Sequence, residues 1–452
     1  MKLHKAARWA LVTGAAAVLA AGVLAAPAQA SPAGPQAAPA GPQGAPAAPA
    51  ATAAAKPGLA TSDAMAAPDA ALSARQNAMM PAAQALSAQA RNASSDISGV
   101  KIDPATGVID LYRTNPAQSL GIAGLPAGVK LAVHQSKFTR TAMNQAASQV
   151  MRDAQALGQQ KVGVTSVGPT VDGSGIAVTV LASDTNQLAD ATSVLRKQYG
   201  SIIGTVRSVS RQPSQNDLYF AGWRFNDFAP WYGGDRIASS VGGCSTGFAA
   251  NYNGGPVMLT ASHCGGTGTA FYNGPTTGGG FNLMGSSVYS DTATDVGAIS
   301  VSSYSLYVNV GAAENSTQLY VGSWASPVVG EYLCQSGSYT GEVCALQVVD
   351  TGQYNCLSWF LWWCTSSQGP LADVINYYGS ASYSAGHGDS GGPVYLRSGS
   401  SGTAVGLVHG VLTGNAASAY PAYTPDTLWC PAPEGWSQRC SSGFSFAHMP
   451  GF

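Results

Sequence analysis

Three short segments carry residue types that together can attack an acyl carbon. Thr-Ala-Ser-His-Cys (260–264) sets His263 beside a cysteine. Thr-Asp-Val-Gly-Ala-Ile-Ser-Val (294–301) sets Asp295 just ahead of an apolar strand, and Gly-Asp-Ser-Gly-Gly-Pro-Val (388–394) sets Ser390 in a turn between glycines. A serine hydroxyl is a weak nucleophile until a neutral imidazole takes its proton. That imidazole needs a carboxylate to orient it and to stabilise its charged form. The glycines around Ser390 let the N–H groups of Gly388 and Ser390 point at one spot, where an oxyanion would form. Asp291 lies four residues before Asp295. Asp295 is the expected orienting acid, because an acid leading directly into a buried strand is better placed to be desolvated beside His263. Asp389 is expected to have a structural ion partner, either Arg236 or Arg397.

The same glycines fit a second chemistry. Gly388-x-Ser390-x-Gly392 matches the nucleophile elbow of an α/β-hydrolase esterase, and Asp426 and His448 follow in the order such an enzyme requires. That arrangement needs a helix after the serine. Pro393 and the strand-like Val-Tyr-Leu that follows argue against one, and His263 would be left without a task. An inactive, adhesive two-barrel protein is a third possibility, disfavoured by the complete set of three residues.

The elements that must position these residues are of two kinds. From Asp227 onward the chain reads as short β segments punctuated by Gly, Asn and Ser, an all-β barrel or sandwich pattern, with a helical period only at 371–378. From about 96 to 212 the pattern is mixed. A hairpin is predicted over 101–113, strands over 129–135, 161–168, 175–183 and 201–210, and helices over 139–157, capped by Thr139, and 186–200, ending at Gly200. His134 sits in one of these strands with no visible acid or nucleophile partner and reads as structural.

Charge separates the two kinds of segment. From Asp227 on there are three basic residues against twelve acids, a net −9, whereas the preceding residues carry +8. Opposite signs suggest two domains that pair with each other, and the acidic half is a poor nucleic-acid partner. The first thirty residues show a basic start (Lys2, Lys5, Arg8), an apolar run from Trp9 through Ala26 and Ala-Gln-Ala ending at Ala30, the pattern of a cleaved secretory signal. No later apolar run approaches membrane-spanning length. Residues 31–62 are rich in Ala, Pro, Gly and Gln, the composition of a disordered linker. All eight cysteines (Cys244, Cys264, Cys334, Cys344, Cys356, Cys364, Cys430, Cys440) fall in the acidic half. An even number in an exported chain reads as disulfides, and spacing favours four local bridges between sequence neighbours. No Cys-x-x-Cys pair or Cys/His cluster has metal-ligand spacing, so no metal is expected.

The motifs around His263 and Ser390 resemble the signatures of the chymotrypsin superfamily, in the order His, Asp, Ser. Closer likenesses are Trp-Tyr-Gly-Gly-Asp-Arg-Ile (231–237) with Gly-Gly-Cys-Ser-Thr-Gly-Phe (242–248), Leu-Cys-Gln-Ser-Gly-Ser-Tyr-Thr-Gly-Glu-Val-Cys (333–344) and Ala-Val-Gly-Leu-Val-His-Gly (404–410). They resemble the streptogrisin and alpha-lytic protease branch of secreted bacterial serine proteases. The resemblance covers about 230 to 450. It implies an all-β catalytic domain of two six-stranded antiparallel barrels over 226–452 and a small α/β pro-region over 63–225, acting as folding helper and inhibitor. It also implies an endopeptidase acting on polypeptides as a monomer, without a cofactor. Bridges 244–264 and 334–344 follow from the same resemblance. It places the base of the substrate pocket at Ser384, which offers an arginine or lysine side chain no carboxylate. The pocket edge falls at Leu407–Val411, where relatives carry Ser and a second Gly. Val411 would narrow the pocket toward small or medium apolar side chains, whereas His409 beside Gly410 is either a contact for a glutamate side chain or structural. Ala385, Gly386 and His387 stand where the family often has a cysteine, and His387 is expected to be exposed. The segment 356–364, with Trp359, Phe360, Trp362 and Trp363, is either a contact surface or a hydrophobic plug.

Overall fold

The computed structural model describes residues 66–117, 124–209, 224, 227–274, 282–313, 315–360, 363–379, 382–411, 428–431 and 437–448. The leader at 1–30, the linker at 31–62, most of the junction before 227, Trp362 and Asp426 lie outside these residues. No described helix is long and apolar enough to cross a membrane.

The N-terminal segment begins with α1 (Ala70–Ala90), capped by the Asp69 carboxylate on Leu72 N–H. Strands β1 (Ile97–Asp103) and β2 (Val108–Arg113) form the expected hairpin, and β3 (Lys130–Gln135) joins β2 in parallel. Thr139 accepts from Ala142 N–H at 3.2 Å and so starts α2 (Arg140–Arg152). The single helix expected over 139–157 is divided, with α3 (Ala154–Gln159) following Asp153. Asp153 is tied down by the Tyr199 hydroxyl at 2.8 Å and the Gln149 amide at 2.9 Å, which hold its backbone out of the helical path. The segment ends with β4 (Gly163–Pro169), β5 (Ile176–Leu181), α4 (Thr185–Tyr199) and β6 (Ile203–Val209). Gly200 stops α4 at φ 71°, a conformation costly to any residue with a Cβ.

The rest of the described chain is β. After the short β7 (Trp231–Gly233) come β8 (Arg236–Ser239), β9 (Gly242–Ser245), β10 (Ala249–Tyr252), β11 (Gly255–Ala261), β12 (Ala270–Asn273), β13 (Asn282–Asp291) and β14 (Val296–Ser300). They pair in the order β10-β11-β14-β13-β12-β8-β9. The three residues between β9 and β10 carry the chain across, with Gly247 N–H donating to Leu259 O and Leu259 N–H to Phe248 O, so the sheet closes on itself as a six-stranded barrel if β9 and β10 are counted as one. The hairpin β15 (Tyr304–Ala312) and β16 (Asn315–Trp324) leads to β17 (Tyr332–Gly337), β18 (Gly341–Phe360), β19 (Trp363–Asn376), β20 (Ala385–Gly386), β21 (Pro393–Ser398), β22 (Ser401–Val411), β23 (Leu428–Pro431), β24 (Ser437–Ser441) and β25 (Gly443–His448). The pairings β17–β18, β18–β19, β19–β25, β25–β22, β22–β21 and β21–β17 complete a second ring of six. The expected double barrel is thus present. Residues 371–378, read as a possible helix, lie instead largely in β19. That strand is sandwiched between two neighbours, so Leu371, Ala372, Asp373 and Val374 are all buried and no two-residue alternation survives to mark it.

Four disulfides join the sequence neighbours 244–264, 334–344, 356–364 and 430–440. The long β18–β19 hairpin projects beyond the second barrel, and its outer edge is covered. Tyr354 and Asn355 pair with Val167 and Ser166 of β4, so β4, β5 and β6 extend the barrel sheet. Cys356 and Cys364 pack in the same apolar cluster as Val150, Leu157 and Val178. Helix α1 packs on β1, and its Met79, Ala83 and Leu86 are completely buried in an apolar cluster that continues into the barrels. Each such side chain contributes roughly 1.5–3 kcal/mol when fully buried, and alanine less. The Gln76 amide makes two hydrogen bonds to the main chain of Tyr332, at 2.6 and 2.9 Å.

Candidate active site

The site residues stand on both barrels. His263 sits in a helical turn (Ser262–Cys264) directly after β11, pinned by the bridge from Cys264 to Cys244. Asp295 lies in the turn before β14, in the left-handed conformation (φ 60°) that Asp tolerates better than most residues. The second barrel supplies Ser390, in the turn before β21.

Asp295 is fully buried and each of its oxygens is occupied. Oδ1 accepts from His263 N–H and the Ser262 hydroxyl, both at 3.0 Å, and Oδ2 accepts from His263 Nδ1 at 2.8 Å. Oδ2 also lies 2.5 Å from His409 Nδ1. Burial pushes the Asp295 carboxyl up, but the two imidazoles outweigh it and hold the group well below the usual carboxylate range. Burial pushes His263 down, and Asp295 more than reverses this, so the imidazole is raised above its ordinary 6.5. Asp291, by contrast, caps its own turn, accepting from Ala293 N–H and the Thr294 hydroxyl.

The turn that carries Ser390 is shaped by its glycines. Gly388 has φ 87°, and a Cβ on it would lie 2.1 Å from the Tyr339 ring. Gly391, at φ 81°, passes so close to the first barrel that a Cβ would lie 2.2 Å from Thr260 Oγ1. Ser245 of β9 grips the turn from the first barrel: its N–H donates to Ser390 O at 2.8 Å and its hydroxyl to Gly388 O at 2.9 Å. Ser245 lies within the Gly-Gly-Cys-Ser-Thr-Gly-Phe motif (242–248), but its role in holding this turn was not foreseen from it. Asp389 is buried beneath the turn, accepting from Tyr339 N–H, Thr340 N–H, the Thr340 hydroxyl and Gly386 N–H. Burial raises it to about 6 against the pull of these donors and of Arg224. Of its two expected partners, Arg236 interacts with it electrostatically, whereas Arg397 pairs with Glu342. Ser390 Oγ donates a long hydrogen bond, 3.5 Å, to the His409 carbonyl.

The residues expected at the pocket have other commitments. Ser384 is buried and its hydroxyl donates to Ser442 O at 2.7 Å. His409 turns its ring to Asp295. Gly410 continues β22, as does the backbone of Val411, whose side chain is outside the description. His387 is half-buried rather than exposed. The esterase arrangement is not assembled: a strand, β21, follows Ser390 where a helix is needed. His448 lines a cavity of about 130 Å³ with Arg91 and Arg140, and Ser390 is not among its walls. Burial, with those two arginines, lowers His448 to about 4. His134 pairs with Asp110 at 2.8 Å and stacks on Tyr112.

A mostly β chain, closed into two barrels with a His–Asp pair on one and a glycine-flanked serine on the other, has a chymotrypsin-like fold. No protein-family model and no curated protein matches the chain. Among solved structures it is similar to Thermobifida fusca protease A, at 21% identity and TM-score 0.33, over 48% of this chain and 90% of that one. A Nocardiopsis protease is similar at 22% identity and TM-score 0.32, over 48% and 91%. So is a glutamic-acid-specific serine protease that uses a histidine triad in substrate binding, at 19% identity and TM-score 0.34, over 48% and 92%. These neighbours are chymotrypsin-like serine proteases.

Proposed function

We propose that the chain is a secreted serine endopeptidase made as a precursor. The observation that carries this is the seating of His263: Asp295 binds both its main-chain N–H and its Nδ1–H. That fixes the tautomer in which Nε2 keeps its lone pair and serves as the base. Rotation about the Cα–Cβ bond of Ser390 exchanges the weak contact with the His409 carbonyl for this nitrogen, a tightening common once substrate is bound. Ser390 then attacks the peptide carbonyl, His263 carries the proton to the leaving amine, and the N–H groups of Gly388 and Ser390 hold the oxyanion. Water repeats the cycle on the acyl-enzyme. No metal or cofactor enters these steps.

The N-terminal segment, to about residue 225, serves in this account as a pro-region that assists folding and inhibits the enzyme. Its support is the continuous sheet from β4 to the β18–β19 hairpin and the opposite charges across the seam. Arg140 donates to the Thr351 carbonyl at 2.8 Å, and Arg140 and Arg207 both attract the half-buried Asp350. Export of a monomer behind the leader at 1–30 fits the four disulfides. The segment of Ser384 and that of His409, Gly410 and Val411 are retained as neighbours of the substrate, with apolar residues the expected preference.

The wild-type chain should hydrolyse casein and react with a serine-directed fluorophosphonate. Ser390→Ala should lower hydrolysis by about 10⁶-fold and abolish labelling. Undiminished proteolysis by that variant would sink the proposal. Loss of activity in His448→Ala but not in His263→Ala would favour the esterase.

A further inference from the structure

One oxygen atom of the site serves two histidines. Asp295 Oδ2 lies 2.8 Å from His263 Nδ1 and 2.5 Å from His409 Nδ1, and only the first contact is used by the mechanism above. His409 reaches this position through a bulge in β22. Against β25, Val408 pairs with Phe446 and Gly410 with Ser445, which leaves His409 as the extra residue with its ring re-aimed at the first barrel. The rings of His263 and His409 meet edge-on, with centroids 5.8 Å apart. Two imidazole nitrogens and a carboxylate oxygen thus lie within 4.8 Å of one another. Two other groups of three among the described residues are equally compact, Cys244/His263/Cys264 and Cys334/Glu342/Cys344, but their sulfurs are spent in disulfides.

We propose that His263, Asp295 and His409 form an inhibitory binding site for a divalent transition-metal ion of the Zn²⁺ or Cu²⁺ class. Two imidazoles and a carboxylate are a donor set these ions favour over calcium or magnesium. Zinc bonds to nitrogen and oxygen are about 2.0–2.2 Å long, so tetrahedral donors stand about 3.3 Å apart. The Nδ1–Oδ2 separations need to open by less than an ångström to admit the ion. The His263 side chain is 35% exposed, whereas those of Asp295 and His409 are buried, so the ion would enter past the His263 ring.

The consequence for catalysis follows from the tautomers. In each neutral ring the metal takes the Nδ1 lone pair, and the proton formerly on Nδ1 passes through solvent to Nε2. No proton is lost or gained overall and nothing is oxidised or reduced. The metal-bound His263 then carries N–H where the reaction needs a lone pair, so it cannot take the proton of Ser390. The ion also displaces the Asp295 hydrogen bond that orients the ring.

The test uses the protein as it is secreted and processed, with zinc chloride as probe. Micromolar free Zn²⁺ should suppress fluorophosphonate labelling of Ser390 and casein hydrolysis by at least about tenfold, and EDTA should restore both. His409→Ser keeps a hydroxyl donor for Asp295 but has no imidazole. Measured against its own metal-free rate, it should need about 100-fold more zinc, the range expected when a metal site loses a key group. Indifference of the wild type to millimolar zinc, or equal zinc sensitivity of His409→Ser, would overturn the proposal. Should His409→Ser fail to fold, equilibrium dialysis of Ser390→Ala, whose three ligands are intact, decides: no ion bound at 100 µM Zn²⁺, as an order of magnitude for a three-ligand site, overturns it. The activity readout rests on His263 being the base. A chain inactive without metal would count against the protease reading alone, and dialysis with and without His409 would still decide the site.

Discussion

The N-terminal segment and the double barrel bury their cores by different means. The N-terminal segment lays helices on small sheets and has no cysteine. Its order rests on caps such as Thr139 and Asp184 and on side chains such as Met143, Leu157 and Leu195. The barrels close their sheets into rings and tie their loops with four disulfides. Ring closure pairs the strands of each ring on both sides, and where the long β18–β19 hairpin runs on past the second ring, β4 of the N-terminal segment pairs with β18. If the N-terminal segment is the proposed pro-region, that pairing is the place where it completes and restrains the barrels, while His263, Asp295 and Ser390 are held by the rings.

If that division holds, damage at the site should leave the seam intact. Asp295→Asn should lower kcat by about 10⁴-fold, because an amide there favours the wrong histidine tautomer. Thermal unfolding of the N-terminal segment should be unchanged, and Asp291→Asn should alter kcat only a few-fold. Steady-state kinetics and calorimetry on both variants would show whether the two acids differ this much.

The converse damage is at Gly158 of α3, where a Cβ would lie 2.2 Å from the Trp363 Cβ on the hairpin. Gly158→Ala should cost about 1–3 kcal/mol of docking between the two regions. In urea, the Ser390→Ala, Gly158→Ala double variant should lose N-terminal order earlier than Ser390→Ala alone. A single unshifted transition would show that the seam is not a weak point.

The last test concerns Glu331, buried next to Tyr332, whose main chain bonds to Gln76 of α1. Burial raises it to about 8, opposed by its hydrogen bond from Val328 N–H. With a folded value above the ordinary 4.5, the folded chain holds a proton the unfolded chain releases. The stability this brings is present below about pH 4.5 and is lost as pH rises toward 8. Relative to Glu331→Gln, the wild type should lose about 1 kcal/mol per pH unit across that window, measured as Tm against pH. Parallel curves would mean that Glu331 is ionised when folded.

Local chemistry was legible where a few adjacent residues suffice. The Thr139 cap, the Gly200 stop, the β1–β2 hairpin and the four neighbour disulfides all depend on short-range geometry. Helix α1 was not anticipated, since its alanine-rich face has little apolar contrast and Pro81 interrupts it. It is ordered by the barrel it covers. The strand at 371–376 was obscured for the opposite reason, because burial on both faces erases alternation.

The sequence by itself determined the reactive types: a serine between glycines, a histidine beside a bridging cysteine and an acid before a buried strand. It also set the opposite charges of the two segments and the disulfide neighbours. Only the tertiary structure decided which atoms meet. That Ser245 grips the turn of Ser390 and that His409 shares Asp295 Oδ2 both depend on contacts between strands far apart in the chain. A bulge in β22 and the closure of two barrels bring them together, and no local pattern encodes that approach.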